Sequence, residues 1–162
     1  MIFPMVEGTN LLGKRFMLPY SFEGEYNIAL VSFHPSQIIQ LQTWLPVLEA
    51  LREEFPDLMI YELPTLPQYD PQARVFIDLS IRQSIPDHAH GTVIPLYVDK
   101  AAFRRDLELS SEEVIYVLLV EREGEVLWQW GGPFDEDAMG VLVTILREQN
   151  TAIPLDPTVW DF

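Results

Sequence analysis

Apolar residues fall along this chain in short runs separated by polar turns, with one long stretch of helical spacing. Tyr26–Phe33 is a nearly unbroken apolar run of strand length and reads as a buried strand. Past Ser36, the residues Ile38, Leu41, Leu45, Leu48, Leu51 and Phe55 recur at spacings of three and four. That spacing predicts a helix with one apolar face, with Ser36 as its N-cap and Pro56 as its stop. Trp44 falls opposite the main apolar stripe. Pro46 lies inside the helix, where it removes a backbone hydrogen bond at a cost of about 3 kcal/mol, so a kink is expected.

The remaining pattern is alternating and short. Residues 1–12 read as a loose lead-in, Gly13–Pro19 as a short strand, and Ser21–Glu25 as a turn around Gly24. Leu58–Leu63 predicts a second core strand, after which Pro64, Pro67 and Pro71 break regular structure. Gln72–Gln83 has a ragged helical pattern carried by Val75, Phe76, Leu79 and Ile81. Pro86–Gly91 is a loop, Thr92–Val98 a third strand, and Asp99 the cap of a short helix over Lys100–Leu107. Val114–Val120 is rich in β-branched residues and predicts a central strand. Glu121–Gly124 forms a hairpin turn in which Gly124 takes positive φ, and Glu125–Trp130 returns beside it. Asp135 caps a last helix to about Gln149. Strands separated by helices favour parallel pairing, so the order predicts a mixed sheet with helices on both faces.

Composition narrows the function classes. The chain has 162 residues, enough for one domain over 1–162, with a core over 13–149 and a tail over 150–162. No apolar run reaches the roughly 18 residues of a membrane span, and the start of the chain lacks a signal-peptide pattern, so a cytoplasmic location is the default. Formal net charge is −15, from 25 acidic and 10 basic residues. Such a surface repels nucleic acid and anionic lipid and attracts a basic protein partner; serving solubility alone is the competing reading. There is no cysteine. Disulfides, thiolate metal sites and thiol nucleophiles are therefore excluded.

The stretch Leu30-Val-Ser-Phe-His-Pro-Ser-Gln-Ile-Ile-Gln-Leu-Gln-Thr-Trp-Leu-Pro-Val-Leu-Glu-Ala-Leu resembles the thioredoxin superfamily, in particular the reductases and peroxiredoxins that carry an extra N-terminal hairpin. The resemblance implies a thioredoxin-like α/β/α sandwich with a central mixed sheet. It places Pro46 on the family's helix-kinking proline and Ile38 and Leu41 on the two cysteines of CxxC. In the peroxiredoxin register, Phe33-His34-Pro35 opens the peroxidatic loop, and Ile39 and Gln42 replace its threonine and cysteine. Ile115 stands where the family has its cis-proline. The hairpin from Tyr116 to Gly132 is similar to the thioredoxin-like assembly factors of mitochondrial ATP synthase, which act by binding.

Other clusters carry weaker chemistry. Asp87-His88-Ala89-His90 has alternating histidines but completes no known ligand spacing, so no metal or other cofactor is expected. His34 and Ser36, at the strand-to-helix junction, suggest local packing or capping before acid–base work. Trp44, Trp128, Trp130 and Trp160 read as packing or as a partner surface. Ile153-Pro-Leu and Val159-Trp-Asp-Phe are apolar enough to dock on the same molecule, a second copy or a partner. The expected function is a redox-inactive binding or assembly module, with a homodimer among its expected forms. Its candidate binding residues are His34, Ser36, Gln37, Trp44 and Trp160. A non-thiol enzyme near His34 and a purely structural oligomer are the alternatives.

Overall fold

In the computed structural model, residues 1–151 are described. Two short antiparallel strands, β1 (Val6–Thr9) and β2 (Arg15–Leu18), come first. A five-stranded sheet follows, built from β3 (Tyr26–Ser32), β4 (Leu58–Leu66), β5 (Leu96–Tyr97), β6 (Tyr116–Glu121) and β7 (Val126–Gly131), in spatial order β5-β4-β3-β6-β7. β3, β4 and β5 run parallel, β6 pairs antiparallel with β3, and β7 pairs antiparallel with β6. The helices are α1 (Ile38–Glu54), α2 (Pro71–Ser84), α3 (Lys100–Leu107) and α4 (Glu136–Thr151). This is a thioredoxin-like sandwich with an N-terminal hairpin.

The period-two alternation of the strands sorts the core into two layers. Ile28, Leu30, Val117 and Leu119 face α1 and α4, where they meet Leu41, Trp44, Leu48 and Leu142. Ala29, Val31, Leu118 and Val120 face the other way, onto Phe3, Phe16, Leu18, Phe103 and Leu107 from the N-terminal hairpin and α3. β3 and β6, at the sheet centre, are therefore apolar on both faces. Each fully buried Leu or Ile in these layers contributes about 1.5–3 kcal/mol of transfer free energy.

Asp99 and Asp135 cap as expected: Ala102 N donates to Asp99 Oδ1 at 3.1 Å and Ala138 N to Asp135 Oδ2 at 2.9 Å. Gly124 has φ +96° in the hairpin turn.

Several expectations need correction. The lead-in contains β1, which was hidden because only Val6 and Gly8 of its four residues face inward or sit near the sheet. Ser36 is not the cap of α1; it lies in a 3-10 turn, Pro35–Gln37, and α1 begins at Ile38. Trp44 is fully buried, because the face that α1 presents to the sheet is Leu41, Trp44, Leu48 and Leu51. β4 continues through Pro64. Glu62 O accepts from Ile94 N on the outer edge, and Pro64 N faces that same side before β5 begins, so no ladder donor is lost. The third strand shrinks to Leu96–Tyr97: Thr92 belongs to a 3-10 turn, Asp87–Thr92, and Val93 makes only an isolated bridge to Glu62. α2 exists as expected, yet it buries no residue.

Candidate functional site at the start of helix α1

β3 ends at Ser32, and Phe33-His34-Pro35 turns the chain into α1. Pro35 sets the φ of the first turn and needs no donor there. Two residues on, past the exposed Ser36, Gln37 is buried. Its Oε1 accepts from Phe33 N at 2.8 Å and from His34 N at 3.3 Å, and its Nε2 donates to Glu112 O at 2.6 Å. One turn on, Gln40 Oε1 accepts from Ile115 N at 3.1 Å. Two amide side chains thus tie the start of α1 to the segment that leads into β6.

That segment is braced from its other side. Lys100 Nζ lies 2.7 Å from Glu112 Oε1, and Arg104 Nη1 3.3 Å from Oε2. The Lys100 hydrogen bond, aided by Arg104, holds the Glu112 carboxyl below its ordinary range. Tyr116 completes the brace: its hydroxyl accepts from Ser111 N at 3.0 Å.

The positions that the thioredoxin resemblance singles out part company here. Leu41 and Ile115 are buried in the same core layer. Among the described residues the only cis peptide is Leu18–Pro19, so the bond before Ile115 is trans, as expected for a non-proline. Ile38 and Ile39 stay on the surface, 37% and 71% exposed. Phe134 joins them at 38% exposure: its N–H donates to Thr43 Oγ1 at 2.8 Å and its ring meets Trp44 edge-on at 5.2 Å. Thr43 lies one turn along α1 from Ile39, so Phe134 is anchored on the same side of that helix as the exposed Ile39. Three carboxylates of the adjoining segments are exposed: Glu113 on the braced segment, and Glu136 and Asp137 in the first turn of α4, two and three residues past Phe134.

Of the residues singled out from sequence, His34 and Ser36 are exposed just ahead of α1. Gln37 is there too, with its amide already bonded on both ends. Trp44 lies beneath, its Nε1 donating to Gly132 O at 2.9 Å and its ring edge-on to Trp128 at 6.4 Å. Trp160 and the apolar tail lie outside the described residues. The structure adds Gln40, Glu112 and Phe134, which the sequence reading missed. The glutamines Gln37 and Gln40, at a spacing of three where the helix begins, were the available signal.

The histidine loop is separate from this site. His90 is buried, and its Nε2 donates to the carbonyls of Arg82 at 3.1 Å and Ile85 at 2.9 Å, closing the end of α2. His88 is exposed. Among the described residues no cluster of three His, Asp or Glu side chains is placed to hold a metal ion. No helix among them is long and apolar enough to cross a membrane.

No family model matches the sequence, and no curated protein matches it. Solved structures do. The exposed lipoprotein thioredoxin of Streptococcus pneumoniae superposes with TM-score 0.60 at 14% identity, covering 90% of this chain and 99% of that one. BsSco, a member of the Sco family of cytochrome c oxidase assembly proteins, gives TM-score 0.61 at 13% identity over 94% and 95% of the two chains. Arabidopsis thaliana ScoI with copper bound gives 0.60 at 15% identity over 91% and 99%. The fold is thioredoxin-like. With no cysteine in the sequence, the chain is not a thiol–disulfide oxidoreductase or a cysteine-dependent peroxidase.

Proposed function

We propose that this protein is a binding or assembly module whose contact surface is the apolar group Ile38, Ile39 and Phe134 with its acidic rim. The observation that carries the reading is the 71% exposure of Ile39 at the position where a thioredoxin fold ordinarily places its chemistry. The side chains of Gln37 and Gln40 are bonded to the protein's own backbone. What is left facing outward is hydrophobic surface, which marks contact sites when carboxylates ring it. A partner with apolar side chains set among lysines or arginines fits both features, and the formal charge of −15 favours its approach. The similarity in fold to a member of an assembly-protein family supports the class of function.

The test is quantitative capture of partners on the immobilised chain. Glu113→Lys, Glu136→Lys and Asp137→Lys together should release the bound partner, and so should high salt for the wild type. Capture that is indifferent to both salt and charge reversal would refute the basic-partner reading.

A further inference from the structure

Helix α2 raises a question the first site does not answer. It spans fourteen residues and buries none. Its body side is held by polar contacts. Tyr97 Oη donates to Asp78 Oδ1 and to Arg74 O, the Arg74 guanidinium stacks 4.9 Å from the Tyr97 ring centre, and Arg82 Nε donates to Leu11 O at 3.1 Å. The opposite side is Gln72, Val75, Phe76, Leu79, Ser80 and Gln83, all exposed. Val75, Phe76 and Leu79 are 66%, 73% and 44% accessible. These six positions lie on one face at helical spacing, and none carries charge.

Two features say what covers this face. The first is electrostatic. A chain of net charge −15 meets its own copy against strong repulsion over most of its surface, and least where the surface is neutral. The second is the order of residues. In an antiparallel pairing of two identical helices about a two-fold axis, each position faces the one whose number gives the same sum. Here Gln72 faces Gln83, Val75 faces Ser80, and Phe76 faces Leu79, so all six residues pair among themselves about a single centre. The rings and Leu79 side chains meet in the middle. The amides of Gln72 and Gln83, each both donor and acceptor, meet at the two ends.

We infer that the outward face of α2 is a self-association surface, on which a second copy of this chain packs antiparallel across a two-fold axis centred between Ile77 and Asp78. The inference stands on a different helix from the proposed partner surface, and each survives failure of the other.

The full chain, followed by sedimentation equilibrium over a wide concentration range, should show a monomer–dimer equilibrium. Phe76→Asp with Leu79→Asp should leave it monomeric at the same concentrations. Because α2 buries nothing, the melting of dilute protein should be unchanged, which separates loss of contact from loss of fold. A wild-type chain that stays monomeric to its solubility limit, or a dimer that persists in the double variant, would overturn the inference. The absence of native cysteine permits a register test. Gln72→Cys with Gln83→Cys should oxidise to a covalent dimer, since the two sites lie about 16 Å apart along one helix and cannot bridge within it. Gln72→Cys alone should not. Equal crosslinking of the single variant would overturn the antiparallel arrangement.

Discussion

The side chain of Gln40 accepts a hydrogen bond from the backbone N–H of Ile115 at 3.1 Å. Ile115 occupies the place that the thioredoxin resemblance assigns to the proline beside the redox pair. Its amide is turned inward and already has a partner, and three residues earlier Gln37 takes up Glu112 O. The start of α1 is clasped to the segment before β6 by the protein's own glutamines.

Removing either clasp leaves buried backbone groups without partners. Gln37→Ala frees Phe33 N and Glu112 O, and should cost about 1–3 kcal/mol in denaturant unfolding. Gln40→Ala frees one group at a less buried position and should cost less. Equal stability of the Gln37 variant and the wild type would show that water replaces the amide without loss.

Positions only two residues apart on α1 should respond very differently. Leu41 is buried and Ile39 is not. Leu41→Ala should destabilise by about 2–5 kcal/mol, with cavity and transfer costs combined. Ile39→Ala should stay within about 0.5 kcal/mol of the wild type. Urea denaturation of the two variants checks the assignment of core and surface at this helix.

Restoring thiols tests the same geometry chemically. Ile38→Cys should react readily with a thiol reagent, being partly exposed at the helix start, where the N-terminus favours the thiolate. Leu41→Cys should react only at the rate of unfolding. Rapid modification of both would mean that the α1 start opens in solution.

Two carboxylates should give opposite pH signatures. Glu62 is pushed above its ordinary range by burial. Its charged form weakens the fold above the raised value, and the penalty fades as pH falls into the ordinary carboxylate range. Glu62→Gln should therefore be more stable than wild type at neutral pH, with the gain vanishing in acid. Glu112 is held below its ordinary range, chiefly by Lys100, so its contribution is complete above the unfolded value and is lost as pH falls through the folded one. Glu112→Gln should cost stability at neutral pH and none in strong acid. Thermal melts across pH give both curves.

The strands that are apolar on both faces, β3 and β6, were legible because their burial leaves long apolar runs. The caps at Asp99 and Asp135 were legible because capping is local. β1 escaped because four residues with few inward-facing positions carry no readable period. β4 passed beyond Pro64 because edge geometry, which sequence does not show, decides whether a proline is tolerated. At the site, the loss of both cysteines and of the proline could be read directly from residue identities. The clasp of Gln37 and Gln40 could not, since its partners lie 75 residues away. Nor could Phe134 be joined to Ile39, which depends on α4 starting beside Thr43.

The most direct measurement compares partner capture by Ile39→Asp and by Gln40→Ala, at matched concentration of folded protein. Binding through the exposed apolar surface predicts that Ile39→Asp loses the partner while Gln40→Ala, which removes the bond to Ile115 N and leaves that surface intact, keeps it. Loss with Gln40→Ala and retention with Ile39→Asp would contradict the account.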